Sequence, residues 1–147
     1  MNSQRETLQR FLDAQDGIFS WALQEIANGK KYGHWMWFVF PQLRGIGYSP
    51  TSLYYGIEGL SEARNYLEHP VLGERLRQIT DALLTLPSSD IRQVMDTTDA
   101  YKLRSCMTLF ASATENNRLF MDVLNKFFNG MPDPLTIELL EERREQQ

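Results

Sequence analysis

Apolar residues recur at intervals of three and four along most of the chain, which is the spacing that places them on one face of an α-helix. Between 8 and 28 this pattern predicts helix, which Gly17 divides and Asn28-Gly29 ends. Trp37 to Phe40 allows at most a very short strand, because no stretch alternates for long. Further helices are predicted at about 61–68, 70–86, 97–113, 120–128 and from 134 onward, with a short turn before Met95.

Polar residues at the ends of these apolar stripes predict where the helices begin, because a side-chain oxygen can accept a hydrogen bond from a free N–H of the first turn. The run from Leu43 to Pro50 contains two glycines and a proline and predicts a loop. The predicted cap residues are Ser88 or Ser89 for the short turn, one of Thr97, Thr98 and Asp99 for the helix after it, and Asp133, followed by Pro134, for the last helix.

The nine residues from His34 to Gln42 break the amphipathic pattern, because their sequence, HWMWFVFPQ, is apolar on every face and predicts complete burial. Four aromatic side chains, at ~150–250 Å² each and ~25 cal/mol per Å², give roughly 20 kcal/mol of gross burial as an upper bound. Pro41 lacks an N–H and ends the element. This segment is the predicted centre of an all-α, single-domain bundle of seven or eight helices spanning residues 1–147, with a core from about 8 to 140.

The polar groups at the edge of this aromatic segment leave two interpretations open. The segment is either a core whose polar edge atoms find partners, or the wall of an aromatic pocket in which polar groups converge. The groups concerned are the ring nitrogens of His34, Trp35 and Trp37, the amide of Gln42, and the guanidinium of Arg44 in the following loop.

Length, charge and cysteine content narrow the class of protein. At 147 residues with a net charge of −4, the chain is long enough for one domain and is not expected to bind nucleic acid or an anionic membrane by charge. No run of about 18 apolar residues predicts a membrane span. A single cysteine, Cys106, and no apparent signal peptide predict a reducing, cytoplasmic setting. The oligomeric state is not predicted.

Common catalytic and cofactor motifs are absent from the sequence. There is no glycine-rich phosphate loop and no nucleophile elbow. Because His34 and His69 stand alone and Cys106 has no cysteine partner, zinc-ligand spacing is missing as well. We therefore predict no cofactor and no metal site, and a metal held by carboxylates alone stays open. Cys106 lies in a predicted helix among apolar residues, a setting typical of an inert thiol.

Two further polar clusters are candidate sites. Tyr54, Glu58 and Glu62 share one helix face if the helix near 61 begins early, and the two carboxylates are then either an acid–base pair or part of a solvated face. Lys102 and Ser105 share a face of the helix predicted at 97–113. That face is either solvated or the wall of a second pocket.

Several of these motifs resemble the domain-of-unknown-function 1810 family over nearly the whole chain. The resemblance implies a helical bacterial protein, and many family members carry the automatic label calpastatin, although no calpain-inhibitor repeat is present here. The chain departs from the family pattern at Asp96, Ala100 and Cys106. The residues that carry the resemblance are the segment 34–42, Ser49-Pro50, the run from Tyr55 to Leu72, the run from Lys102 to Phe110, and Asp133-Pro134 with Thr136.

In its helical make-up and its tyrosine-rich helix with glutamates, the chain is also distantly similar to the NADAR superfamily, whose members act on ADP-ribose-linked substrates. This similarity implies cleavage of an N-glycosidic bond. The implied roles are an acid or base at Glu58 or Glu62, a stacking surface at Trp35 or Trp37, and a phosphate contact at Arg44 or Lys102.

Two hypotheses of function follow, and the sequence does not decide whether the protein is an enzyme. The first is a pocket protein that binds, and in one version hydrolyses, a small polar aromatic ligand such as a nucleotide or an ADP-ribose-like molecule. The second is a non-enzymatic interaction module in which the aromatic segment is purely structural. The candidate ligand-binding residues are His34, Trp35, Trp37, Gln42, Arg44, Tyr54, Lys102 and Ser105, and the candidate catalytic residues are Glu58 and Glu62.

Overall fold

The computed structural model describes the backbone of residues 3–145 and the side chains of residues 8–144. Within that range the chain forms nine α-helices and a short 3₁₀ helix, and it contains no strand. The predicted all-α bundle is confirmed, and two very short helices account for the larger number. The α-helices are α1 (Ser3–Gln15), α2 (Phe19–Ala27), α3 (Met36–Val39), α4 (Pro50–Tyr55), α5 (Leu60–Glu68), α6 (Leu72–Leu84), α7 (Thr97–Ala113), α8 (Arg118–Phe128) and α9 (Pro134–Glu145), and the 3₁₀ helix is Ile91–Gln93.

Two glycines are required by the turns between helices. Gly17 lies between α1 and α2 with φ of 72°, a left-handed conformation that favours glycine, and so the predicted division of the first helix is confirmed. Gly73 is the second residue of α6 and lies against the end of α5, where a Cβ atom would come within 2.0 Å of the Leu67 carbonyl oxygen. A side chain at Gly73 would therefore force the two helices apart.

Helix α7 is the central element of the bundle and contacts α3, α5, α8 and α9. Leu103, Met107 and Phe110 are fully buried along it, as the apolar stripe predicts. Cys106 is also fully buried, and burial raises the pKa of its thiol well above the ordinary value. A thiol in this setting stays protonated, which agrees with the predicted inert cysteine.

The aromatic segment forms one helical turn, α3, in place of the very short strand that the sequence allowed at Trp37 to Phe40. Phe40 ends the turn with φ of −122° and ψ of 72°, outside the helical region, because a proline follows it. Helices α1, α4 and α7 contact α3 from different sides. The segment is therefore central, as predicted, but its regular structure is only four residues long.

Complete burial of the aromatic segment, as the sequence predicted, is wrong for three of the residues before Pro41. Trp35 is 2% exposed and Phe40 is fully buried. Trp37 and Phe38 are half-buried, however, and His34 is exposed. A single helical turn directs side chains all round its axis, and the three helices that contact α3 do not enclose it completely. The Trp37 side of the segment thus stays open.

Helix α4 begins at the last residue of the region that the sequence predicted as a loop. Pro50 is its first residue, and the Ser49 hydroxyl accepts a hydrogen bond of 3.1 Å from the backbone N–H of Ser52. A proline suits this position because its missing N–H is not needed in a first turn. The predicted loop therefore ends at Ser49, one residue before the predicted limit.

The helix predicted near 61 does not begin early enough to align the three polar side chains of the second cluster. Helix α4 ends at Tyr55 and α5 begins at Leu60, so Tyr54, Glu58 and Glu62 do not share one helix face. Between the two helices the chain is extended at Ile57, which forms an isolated parallel bridge with Leu43. This bridge ties the segment before α5 to the end of the aromatic segment.

The N-cap of α7 is one residue earlier than predicted. Asp96 has an extended backbone, and its carboxylate accepts a hydrogen bond of 2.8 Å from the backbone N–H of Asp99. The predicted caps Thr97, Thr98 and Asp99 all lie within the first helical turn. Aspartate and threonine can both cap a helix, so the residue types in this run do not decide which position is the N-cap.

The other two cap predictions have different outcomes. Asp90, not Ser88 or Ser89, caps the 3₁₀ helix, because its carboxylate accepts from the backbone N–H of Arg92. Asp133 is confirmed as the cap of α9, since its Oδ2 accepts from the backbone N–H of Thr136 at 3.1 Å. Pro134 then begins the helix, as predicted.

Candidate ligand-binding site

A cleft of about 540 Å³ lies on the open side of the aromatic segment, a volume within the range of small-molecule sites. The residues before α3 form one wall, and the 3₁₀ helix with the first turn of α7 forms the other. We call it the first cleft. Its lining includes the basic residues Lys30, Lys31 and Arg92, the acidic residues Asp96 and Asp99, and the aromatic residues Tyr32, His34 and Trp37.

Glu25 holds the wall that precedes α3. Its Oε1 accepts three hydrogen bonds, from the Trp35 indole N–H at 2.9 Å and from the backbone N–H groups of Tyr32 and Gly33 at 3.0 Å each. Burial opposes ionisation of Glu25, but these hydrogen bonds and the charge of Lys31 outweigh it and lower the pKa of the carboxyl. The ionised carboxylate therefore fixes the course of the chain from Tyr32 to Trp35.

Asp99 lies between two lysines in the other wall. Its Oδ2 is 2.7 Å from Lys31 Nζ, and its Oδ1 is 3.9 Å from Lys102 Nζ. The side chains of Lys31, Asp99 and Lys102 are 6%, 16% and 16% exposed, so this charge cluster is largely removed from solvent. One carboxylate cannot neutralise two ammonium groups, and the close pair with Lys31 leaves the charge of Lys102 only weakly compensated.

Lys102 and Trp37 form the boundary between the first cleft and a second one. Lys102 Nζ lies 4.3 Å from the centre of the Trp37 ring, which is cation–π distance. Lys102 lines the second cleft, Trp37 lines the first, and Thr98 lines both. The second cleft measures about 340 Å³, has a mostly apolar wall, and is lined by Gln42, Ile46, Gly47, Ser52, Thr97, Thr98, Tyr101 and Lys102.

The first cleft is more positive than the chain as a whole. The residues that line it carry three cations against two carboxylates, and with the neighbouring Lys102, Asp90 and Glu25 included the charges are four against four. The chain carries a net charge of −4. The lining itself thus carries a small excess of positive charge in an acidic chain, which raises the local concentration of anions.

Comparison with known proteins places this architecture in a family. The family model described as "Protein of unknown function (DUF1810)" matches residues 5–140. The chain belongs to the DUF1810 family. A solved relative, the conserved hypothetical protein Rv1873 from Mycobacterium tuberculosis, is 44% identical, with 91% of this chain and 96% of that chain covered and a TM-score of 0.90. No curated protein matches the chain. Neither match shows a relation to the NADAR superfamily or carries the calpastatin label.

Four of the predicted ligand-binding residues of this DUF1810 member lie at the two clefts. His34 and Trp37 line the first cleft, and Gln42 and Lys102 line the second. A crevice of about 10 Å³, no larger than a water molecule, adjoins both Trp37 and Gln42. The aromatic segment therefore lies between the clefts, with His34 and Trp37 facing one and Gln42 facing the other.

Two other predicted ligand-binding residues are buried in structural hydrogen bonds. Trp35 is almost inaccessible and donates its indole N–H to Glu25. Ser105 is fully buried, and its hydroxyl donates to Asp133 Oδ2 at 3.2 Å. Neither side chain lines the first or the second cleft. Trp35 acts on the first cleft only through its neighbours, because its bond to Glu25 fixes that wall.

The remaining candidates of the DUF1810 chain lie away from both clefts. Arg44 and Glu58 are exposed and form an ion pair of 2.9 Å. Glu62 is buried, lies 3.3 Å from Arg10, and accepts the backbone N–H of Glu58. Tyr54 is 60% exposed. Catalytic roles for Glu58 and Glu62 are therefore not tested by this geometry, and they stay predictions.

Sequence reasoning missed the side chains that give the first cleft its charge and its shape. Asp99 was predicted only as a possible cap, and no role in a pocket was predicted for Lys31 or Glu25. Lys31 and Asp99 come from distant parts of the chain, and no local pattern predicts that they meet. In the part of the chain that the structure describes, no cluster of His, Cys, Asp and Glu fits a metal, and no helix has the length and hydropathy of a membrane span.

Proposed function

We propose that this protein binds a small anionic molecule with a ring system, of the nucleotide or ADP-ribose class, in the first cleft. The observation that carries the proposal is the lysine pair around Asp99 beside Trp37. Lys31 and Lys102 are both largely buried, share one carboxylate, and lie next to an open aromatic wall. An anionic ligand would compensate the charge of Lys102, which Asp99 reaches only at 3.9 Å, and a neutral ligand would not do so.

The other residues that line the first cleft fit the same class of ligand. Lys30 and Arg92 are exposed at the cleft and suit the more distant oxygens of a phosphate group. His34 is exposed and Trp37 half-buried, so their rings are available to a planar or sugar group. Positive charge and aromatic surface in one cleft are the two features that recognise nucleotides without a glycine-rich loop.

Hydrolysis of the ligand would be a separate step that needs an acid or a base beside the scissile bond. The carboxylates that line the first cleft are Asp96 and Asp99. Asp96 caps α7, and Asp99 is paired with Lys31. Glu58 and Glu62 lie outside both clefts. The proposal therefore concerns binding, and the hydrolytic version would require Glu58 or Glu62 to act on a bond outside these clefts.

The alternative function, an interaction module with a purely structural aromatic core, makes a different demand on the same residues. It requires that the rings of the aromatic segment adjoin no cavity. Trp35 meets this condition, but His34 and Trp37 line the first cleft. This placement supports small-molecule binding over the interaction module.

Titration of the protein with AMP, ADP-ribose and NAD, followed by tryptophan emission and by calorimetry, tests the proposal. We expect saturable binding of the phosphate-containing ligands and none of adenosine at the same concentrations. His34→Ala and Trp37→Phe should weaken binding. Trp21→Phe is the matched control, because Trp21 is 64% exposed on α2 and lines neither cleft. If none of the three ligands gives saturable binding to the native protein, the proposal is wrong.

A further inference from the structure

We propose that the ligand has two ends joined by its phosphate groups, and that the second cleft holds the uncharged end. The first cleft then holds the phosphates and the other end, and Lys102 contacts the phosphate between them. This inference rests on the proposed function, and it narrows the ligand from nucleotides in general to those with a ring at each end of a phosphate bridge.

The first observation is that the two clefts adjoin at one pair of side chains. Thr98 contributes to the walls of both. Lys102 Nζ lies 4.3 Å from the Trp37 ring centre, with Lys102 on the side of the second cleft and Trp37 on the side of the first. A ligand that extends past this pair occupies both clefts, and the position between them is marked by an ammonium group.

The second observation is that the chemistry of the two clefts differs. Lys102 is the charged residue that lines the second cleft, and most of that wall is apolar, including Ile46 and Tyr101. The first cleft carries the basic residues Lys30, Lys31 and Arg92. Phosphates are therefore favoured in the first cleft, whereas an uncharged ring gains from burial in the second.

The third observation is a polar group in the second cleft that is available to a ligand. Among the described side chains, the half-buried Gln42 amide has no hydrogen-bond partner, and it lines this cleft. The hydroxyls of Ser52 and Ser49, by contrast, are hydrogen-bonded to each other at 2.9 Å. An amide offers a donor and an acceptor side by side, which matches the edge of an uncharged nucleobase.

Lys102 occupies the position that a bridging phosphate requires. Its side chain is 16% exposed, and its distance of 3.9 Å from Asp99 Oδ1 is longer than a charge-assisted hydrogen bond. Its charge is therefore only partly used within the protein. A phosphate at this point would contact Lys102 and have one end of the ligand on each side of the Trp37–Lys102 boundary.

The test compares NAD, which has two ends, with AMP, which has one, in a variant that fills the second cleft. Thr97 lines the second cleft but not the first, and it is exposed at the start of α7. Thr97→Phe should weaken NAD binding about tenfold or more and leave AMP binding within about twofold of native, because only NAD reaches the filled cleft. Thr85→Phe, at an exposed threonine that lines neither cleft, is the matched control and should leave both affinities unchanged.

A second variant keeps the test decisive if Thr97→Phe disturbs the fold, which circular dichroism would reveal. Gln42→Leu preserves the side-chain size and removes the amide. It should weaken NAD binding by roughly threefold to tenfold, as expected for a lost hydrogen bond, without affecting AMP.

The outcomes separate the inference from the proposed function. If AMP and NAD both bind the native protein and neither Gln42→Leu nor a folded Thr97→Phe weakens NAD, the second cleft is not used, and only the inference is wrong. If these variants weaken AMP as much as NAD, a single ring occupies the second cleft, and the two-ended ligand is wrong. Absence of all binding to the native protein overturns both proposals.

Discussion

Two carboxylates at α7 have opposite surroundings. Asp99 belongs to its first turn, and Asp133 lies beside its middle. Asp133 is 1% exposed and accepts hydrogen bonds from Ser105 and from Thr136, whose hydroxyl lies at 2.6 Å and backbone N–H at 3.1 Å. Asp99 meets two lysines and lines the first cleft. One carboxylate is surrounded by neutral donors within the protein, and the other by cations next to solvent.

This difference separates a structural site from a candidate binding site. The donors around Asp133 satisfy its charge without adding any, and they join α7 to α9. A further donor, the Tyr101 hydroxyl, lies 3.2 Å from Asp133 Oδ1. Burial and the neighbouring charge of Asp133 both raise the pKa of Tyr101, which therefore stays a neutral donor. Around Asp99, in contrast, the cations exceed the carboxylate, and this excess can be satisfied by a ligand.

The largest expected effect is on stability, from Asp133→Ala. The substitution leaves the buried donors of Ser105 and Thr136 without an acceptor and removes the α9 cap, so we expect a loss of about 3–5 kcal/mol in the free energy of unfolding. Urea denaturation measures it. Asp81→Ala, at an exposed site on α6, is the control and should change stability by less than about 0.5 kcal/mol.

The comparison also requires that Asp133→Ala leave the first cleft intact. AMP binding by the folded fraction should stay within about twofold of native, because Asp133 lines neither cleft. A large loss of affinity without a loss of stability would reverse the roles that we assign to Asp133 and Asp99.

Lys102→Met should have the opposite pattern, with a large effect on binding and a small one on stability. Removal of a cation beside a phosphate should weaken AMP binding about tenfold, which is about 1.4 kcal/mol. Stability should fall by less than about 1 kcal/mol, because Asp99 keeps its close pair with Lys31 and only the long contact of Lys102 with Asp99 and its contact with Trp37 are lost. Calorimetric titration and urea denaturation measure the two effects.

A charge-matched control separates local contact from overall charge. Arg118→Met removes one positive charge at an exposed position on α8 that lines neither cleft. It should leave AMP affinity unchanged at about 0.15 M salt. Equal losses for Lys102→Met and Arg118→Met would show that binding follows net charge, which would contradict a specific role for Lys102.

Glu25→Gln tests the wall that faces Asp99 across the first cleft. The folded-state pKa of Glu25 is lowered, so the ionised group stabilises the fold at a pH above its ordinary value of 4.5, and this stabilisation is lost as the pH falls through the lowered value. We expect Glu25→Gln to be about 1 kcal/mol less stable than native at pH 7. The difference should shrink as the pH falls below 4.5 and through the lowered pKa of Glu25. Thermal unfolding across this pH range measures it, and a constant difference would contradict the assignment.

The sequence predicted the bundle and its centre but not the charge of the first cleft, for a physical reason. The apolar spacing along α7 depends on residues three and four apart, so local sequence is sufficient to find it. The ion pair between Lys31 and Asp99 depends on how distant segments pack. Trp37 and Gln42 were found because they belong to a segment of unusual composition, whereas two lysines that follow a glycine turn are not unusual in a sequence.

Burial was the property of the aromatic segment that was hardest to predict. Trp35 and Trp37 lie two positions apart in an apolar run, and composition treats them alike. Their fates differ because Glu25 satisfies the indole N–H of Trp35 inside the protein, while Trp37 meets Lys102 at the edge of a cleft. The partner that the fold places beside each indole ring therefore decides whether the ring lies in the hydrophobic core or in the wall of a cleft.

The smallest expected effects concern Arg44 and Glu58, the exposed ion pair outside both clefts. Their side chains are 48% and 63% exposed, and an ion pair so open to solvent contributes little. Arg44→Met and Glu58→Gln should each change the free energy of unfolding by less than about 0.5 kcal/mol and leave AMP and NAD affinities within about twofold of native. Calorimetry and urea denaturation test both. A tenfold loss of NAD affinity in either variant would extend the binding site beyond the two clefts, and loss of a hydrolytic activity in Glu58→Gln alone would give that carboxylate the catalytic role that the NADAR similarity implies.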